Sequence, residues 1–514
     1  MVRRFGGPRI RRADILAARS GVGTADVGDS LPGMPVDEIV TLANRCMLPG
    51  LPGPVLDDAT RRWLDEGLGG LVLFAGNIVS PDQLAELTHS IHTGGTDVLI
   101  AADEEGGDVT RLHHAGGSTT PGNLALGAAG DLALTREVAR TIGHDLRGAG
   151  IDWDLAPDVD VNTNPANPVI GTRSFGDDPE AVAAHGVAYL NGLRDAGILS
   201  CAKHFPGHGD TQVDSHFGLP HVEGDLEPHL VPFRAAIEAG VDSILTAHIV
   251  FPALDTYPAT LSRRIVTDLL RGELGYDGLV LTDSMTMKAV ADTYGLGEGA
   301  VLAFMAGVDM ICVNADVESQ LAIRDALVTA AKSGRLPADR LAEAAGRVCA
   351  LAGLARDATG ALPVHGVEVG VRAAAAGLFV SGLTLPLATS PYVVEIAGPR
   401  RGVDSEAGSL LTALRHSDPA ADGVRLRGEA ATERALRTAI ATADGRPLLL
   451  VVRDALRSVE QTDAIRLVRN LRPGVILVGI GSTYDSELAG PGGYLGTRGA
   501  AAANLTAAAI ALRG

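Results

Sequence analysis

The chain has 514 residues, more than one average hydrophobic core holds, so two or three domains are expected. Hydrophobic residues make up 46% and charged residues 20%, the balance of an ordinary globular protein. With 62 acidic against 43 basic residues the formal net charge is -19, which sets aside nucleic acid and an anionic membrane surface as main partners.

Residues 1–35, rich in Gly, Arg and Asp, read as an N-terminal extension with little ordered structure. No continuous apolar stretch follows the Arg-rich start, so no secretory signal is expected. No apolar run reaches the roughly 18–20 residues that span a bilayer. The four cysteines, Cys46, Cys201, Cys312 and Cys349, lie far apart without a CxxC, which suits reduced thiols rather than a disulfide framework or a zinc site. The cytoplasm is the expected compartment.

From 36 to 357 short apolar runs alternate with longer amphipathic segments. Strands are expected at Gly70–Phe74, Val98–Ala102, Trp153–Pro157, Ser200–His204, Ser243–His248, Gly278–Asp283 and Met310–Asn314, with a weaker one earlier. Helices are expected at Pro81–His92, Asp131–Ala149, Pro179–Ala196 and Leu226–Ala239. Apolar strands alternating with helices give βαβ units and a parallel sheet covered on both faces. The repeat number fits a (β/α)8-type TIM barrel. Residues 358–369 read as a linker. Over 370–514 strands at Tyr392–Ile396, Pro447–Val452 and Val475–Val478 alternate with helices near 405–415, 430–442, 458–471 and 499–512. That pattern predicts a smaller, doubly wound αβα sandwich.

Strand after strand in the first domain ends in polar residues: Asp103-Glu104-Glu105, Asp158 and Asp160, Lys203-His204, His248, Asp283 and Asn314. Barrel enzymes carry their chemistry at those carboxyl ends. The densest stretch, Lys203 to His216, holds one lysine, three histidines and two aspartates. Asp214 and His216 alternate around Ser215, so in extended chain both side chains point the same way. A carboxylate beside an imidazole fixes its tautomer and raises its basicity, which makes a general acid/base unit. Asp283, after an apolar strand, is a nucleophile or base, or the cap of a following helix.

His204 and His208 have the spacing of helical metal ligands, but Pro206, Gly207 and Gly209 forbid a helix there. No metal and no cofactor is expected. Gly479-Ile480-Gly481 follows a strand but has Tyr484 where a dinucleotide fingerprint needs its third glycine. Lys203 at a strand end needs an anionic or polyhydroxyl partner. Asp103 and Glu105 with Arg111, and separately Arg173, supply carboxylate and guanidinium groups suited to vicinal hydroxyls. Aromatic residues make up only 4%, which favours a small pocket over a long polysaccharide cleft.

The chain resembles glycoside hydrolase family 3, in its bacterial β-N-acetylglucosaminidase branch. The resemblance rests on the ungapped run Lys-His-Phe-Pro-Gly-His-Gly to Asp-Ser-His at 203–216. It is supported by Asp103 with Glu105-Gly106-Gly107 and Arg111, Arg173-Ser174-Phe175-Gly176, Thr246-Ala247-His248 and Thr282-Asp283-Ser284-Met285. The resemblance implies that Asp283 is the nucleophile and that His216, held by Asp214, is the acid/base. It implies that Asp103, Arg111, Arg173, Lys203 and His204 bind the non-reducing sugar; His208 then reads as structural or as a support for those residues. One departure stands out: Asp108 occupies a position where the family commonly has Arg. The implied activity is a retaining exo-β-N-acetylglucosaminidase acting on muropeptide or chito-oligosaccharide fragments. The alternative is a phosphorylase with phosphate as acceptor, since a neutral imidazole repels anions less than a carboxylate does. The expected partner is a small carbohydrate, with no nucleic acid and no membrane; the sequence sets no oligomeric state.

Overall fold

In the computed structural model, described residues are 34–95, 97–212, 218–357, 366–398, 404–405, 407–427 and 432–514. The expected extension lies outside them except for its last two residues, and so does most of the expected linker.

Eight short strands stand in a ring: β1 Met47–Pro49, β2 Gly70–Leu73, β3 Leu99–Ala102, β4 Trp153–Asp154, β5 Cys201–Phe205, β6 Ser243–Thr246, β7 Leu279–Thr282 and β8 Ile311–Val313. Three parallel sheets, β8-β1, β2-β3-β4 and β5-β6-β7, are joined by the bridges Gly50–Val72, Trp153–Leu199 and Leu281–Met310. The ring therefore closes in chain order as a TIM barrel. Its strands are fully buried because one face meets the interior and the other the helices. Alternate residues sort accordingly: Leu48, Val72, Ala101, Trp153, Cys201, Leu245, Leu281 and Cys312 fill the interior, and their neighbours Met47, Leu71, Ile100, Ile244, Val280 and Ile311 pack outwards. Helix Ala338–Asp357 adds Val348, Leu351 and Ala352 to the interior cluster. It lies at the amino-terminal end, where Arg340 and Arg347 donate to Asp309 just ahead of β8. The bottom of the barrel is thus stoppered, leaving the carboxyl end open.

The second domain is a six-stranded sheet in the order β11-β10-β12-β13-β14-β9. Here β9 is Phe379–Ser381, β10 Tyr392–Ala397, β11 Asp422–Arg427, β12 Leu448–Val452, β13 Ile476–Gly479 and β14 Tyr494–Gly496. All pairs are parallel except β14 with β9. Helices Leu410–Ser417 and Ala502–Arg513 cover one face, Glu433–Thr442 and Val459–Leu471 the other. The sequence reading missed β9, β11 and β14. Two are three residues long, and β11, Asp-Gly-Val-Arg-Leu-Arg, is a half-exposed edge strand without an apolar run.

Helix Gly366–Ala376 starts inside the segment read as a linker. Its small residues let it lie close between the domains. Val369 and Ala373 join the barrel core, while Ala374 packs with Ala503 and Ala507 of the last helix. A Cβ on Gly370 would fall 1.9 Å from the Thr119 carbonyl oxygen, so only glycine fits there.

Candidate active site

A pocket of about 500 Å³ opens at the carboxyl end of the barrel, lined by Asp103, Glu105, Arg111, Arg173, Lys203, His204 and Asp283 among others. The strand geometry brings these together from distant parts of the sequence. Asp103 and Glu105 follow β3, Lys203 and His204 lie in β5, and Asp283 follows β7. Arg173 ends a single 3-10 turn, Gly171–Arg173.

The charged groups form one alternating ladder. Arg111 donates to Asp103 at 3.2 Å. Lys203 Nζ lies 2.7 Å from both Asp103 Oδ1 and Glu105 Oε1. Arg173 grips Glu105 through two nitrogens, at 2.7 and 2.9 Å. It also donates to His204 Nε2 at 3.3 Å. Because a guanidinium cannot accept, His204 Nε2 must, which puts its ring proton on Nδ1, 2.7 Å from Asp160. Burial alone would raise the acid pKa values and lower that of Lys203; the partners reverse this. Lys203 and Arg111 bring Asp103 below the usual carboxylate range, and Arg173 and Lys203 hold Glu105 far lower still. Asp103 and Glu105 in turn raise Lys203. Asp160 is held at about 2 by His204 and His208, against its burial. Asp158, by contrast, is pushed well up by burial and by the neighbouring Asp160 charge.

Asp158, Asp160 and His204 have donor types that could hold a cation. Arg173 already stands 3.6 Å from Asp158, so a guanidinium supplies positive charge there. Glu104 points away from the pocket into the turn, where it accepts the Arg111 and Leu112 N–H groups at 2.7 and 2.9 Å. That carboxylate shapes the loop presenting Asp103, Glu105 and Arg111.

Asp283 does not cap a helix. The next helix, Lys288–Tyr294, begins after Met287, and Asp283 faces the pocket instead. The polypeptide after β5 is tied to the loop after β4. Asp160 accepts the His208 N–H at 2.6 Å, and Asn167 donates to the His208 carbonyl at 2.7 Å. His208 Nδ1 donates to Thr211 Oγ1 at 2.8 Å, since that hydroxyl gives its own proton to the His208 carbonyl. Asp214 and His216 lie outside the described residues.

The structure gives one of these groups a larger part than the sequence did, and adds another. Glu105, read from the sequence as an acceptor beside Asp103 and Arg111, is the hub of the ladder, bound by both Lys203 and Arg173. Asp404 reaches the pocket from the second domain, and nothing in its loop sequence marks it. Asp108, the residue that departs from the family pattern, is nearly buried under that domain. It pairs with Arg453 at 3.0 Å, accepts the Thr172 hydroxyl at 2.9 Å and takes the Ala500 N–H at 2.8 Å. Arg453 also holds Asp404 at 2.7 Å.

A two-domain chain with a charged pocket at the open end of a parallel barrel has the form of a TIM-barrel enzyme. The profile described as "Glycosyl hydrolase family 3 N terminal domain" matches residues 52–351. Beta-hexosaminidase A of Pseudoalteromonas piscicida is 34% identical over 400 residues, covering 70% of this chain and 66% of that protein. The beta-hexosaminidase of Thiobacillus denitrificans is 39% identical over 268 residues, 50% of this chain and 74% of its own length. Among solved structures, a glycoside hydrolase family 3 β-N-acetylglucosaminidase from Paenibacillus sp. str. FPU-7 superposes with a TM-score of 0.85 at 34% identity, covering 92% of this chain and 96% of that one. The chain belongs to glycoside hydrolase family 3.

Proposed function

We propose that the protein is a retaining, exo-acting β-N-acetylglucosaminidase that removes terminal N-acetylglucosamine from muropeptide or chito-oligosaccharide fragments. The observation that carries this is the pocket itself. It is closed below by the filled barrel interior and combines Asp283 with the ladder from Arg111 to His204. A closed-ended pocket takes the end of a chain, and fixed carboxylate, ammonium and guanidinium groups suit the hydroxyls of one sugar. The names of the relatives agree with this glycone.

In this reading Asp103, Arg111, Arg173, Lys203 and His204 bind the terminal sugar. Asp283 attacks the anomeric carbon while His216, oriented by Asp214, protonates the leaving oxygen. The covalent glycosyl-enzyme is then hydrolysed by water that His216 deprotonates, with net retention. The usual retaining pair is two carboxyls about 5–5.5 Å apart; an imidazole takes the place of one of them here. Arg111, Arg173 and Lys203 each already face a carboxylate, which supports water rather than phosphate as acceptor. The cysteines of the described residues are free thiols, in keeping with a cytoplasmic setting. No helix of the described residues is long and apolar enough to cross a membrane.

The test is Asp283→Asn assayed on an aryl N-acetyl-β-glucosaminide. Turnover should fall by several decades, a barrier increase of roughly 4 kcal/mol or more. Near-wild-type activity would remove Asp283 as nucleophile. Running the wild type in excess phosphate should give free sugar; sugar 1-phosphate as main product would transfer the reading to phosphorolysis.

A further inference from the structure

The second domain has a cavity of its own, about 470 Å³, at the carboxyl edge of its sheet. Its position follows from the strand order. β10 lies between β11 and β12, so the chain leaves β10 towards one side for β11 and then crosses to the other side for β12. The helix after β10, Leu410–Ser417, packs on one face, and the helix after β12, Val459–Leu471, on the other. Connections that part in this way open a crevice above the two strand ends, where open α/β sheets bind ligands.

Among the described residues, the charged lining of the crevice is Arg425, Arg427 and Arg453 with Glu395. Arg453 is already matched by Asp108 and Asp404, so the arginines that face the space are Arg425 and Arg427. Arg425 and Arg427 are two apart on β11 and so point to the same side. Arg425 stands opposite Glu395 in the strand register, its Nε 3.7 Å from a Glu395 oxygen. Its other end donates to the Ala407 carbonyl at 3.2 Å, so the main chain holds the guanidinium in place. Glu395 is only 4% exposed, and its other oxygen takes the Ser409 hydroxyl at 3.1 Å and the Leu411 N–H at 2.9 Å. Glu395, the acid of the lining among the described residues, is therefore well supplied with donors, while Arg427 stands exposed at the rim. Two guanidinium groups on one side of a concave site are notable on a chain of net charge -19.

We propose that this crevice is a second binding site, separate from the barrel pocket, for a small molecule carrying a carboxylate or phosphate group. Guanidinium forks match the oxygen spacing of both anions, and one fork is already oriented by the main chain. Arg453 belongs to the wall of this crevice, and its partner Asp404 lines the barrel pocket, so the two cavities share a wall. The proposal does not depend on which sugar the barrel pocket takes.

The experiment is calorimetric titration of the full chain with glucose, glucuronate and glucose 6-phosphate, repeated on Arg425→Gln/Arg427→Gln. At least one charged probe should bind more tightly than glucose and lose about tenfold or more in the double variant. Which charged probe does so identifies the anion. Turnover of the aryl glucosaminide by the double variant, in the absence of probe, should match the wild type and report an intact fold. Should the double variant not fold, Arg427→Gln alone changes only an exposed side chain and should weaken the charged probe about threefold. Equal binding of charged and uncharged sugars, or charged probes bound as tightly by the variants as by the wild type, overturns the proposal.

Discussion

Lys203 has a relative exposure of only 2%, and two carboxylates that meet its ammonium at 2.7 Å favour the charged form against that burial. Buried ions of this kind are costly unless paired, so no member of the ladder stands without its neighbours. The same dependence reaches His208 in the opposite sense. Burial first, and the nearby His204 second, push its pKa down to about 4 from an ordinary 6.5. The unfolded chain therefore takes up a proton between about pH 6.5 and 4 that the folded chain refuses. Stability from the neutral ring is complete above pH 6.5 and drains away as the pH falls to 4, by about 3 kcal/mol in all. Urea unfolding over this range should show the slope, and His208→Asn should flatten it. A slope unchanged in the variant would assign the proton elsewhere.

At the scale of elements, the segment leaving β5 is seated by a contact too close for any side chain. A Cβ on Gly209 would come 1.7 Å from the Val161 carbonyl oxygen, so Gly209→Ala must push the segment off the loop after β4. Overpacking of this kind costs about 1–3 kcal/mol. As the stem of the stretch that holds Asp214 and His216 shifts, kcat should drop by more than ten times while KM for the glucosaminide changes little. A change confined to KM would count against the role given to those two residues. These barrel elements were legible in the sequence because a buried strand ending in Lys-His or Thr-Asp joins an apolar run to an abrupt polar stop. Helix Pro179–Ala196 was legible to its last residue, with Asp178 as its cap and Gly197 closing it. The three missed strands of the second domain offered no such contrast, and Asp404 acquires its place only when two domains meet. Side-chain partners separated by up to 392 residues, as Asp108 and Ala500 are, leave no trace in local pattern.

On the scale of the whole molecule, Asp108 fastens the domains. Its carboxylate faces Arg453 and Ala500 of the second domain and Thr172 of the barrel, while its carbonyl takes the Ser405 N–H at 2.8 Å. The buried charge pair thus runs between domains. Asp108→Asn leaves Arg453 still paired with Asp404 and should lower stability by about 2 kcal/mol, the worth of a hydrogen bond between charged groups. Calorimetry should then resolve barrel and sandwich melting separately. A single unshifted transition would show that the pair adds little.

Helix Gly366–Ala376 sets a further condition. One stripe of Val369, Gly370, Ala373 and Ala374 serves both the barrel core and the last helix of the chain. Neither domain owns it, and a cut on either side would leave a bare apolar seam on one of the two products. For evolution this means that the second domain cannot be shed by a single deletion. A lineage reducing itself to the barrel must first rewrite the surface that this helix covers.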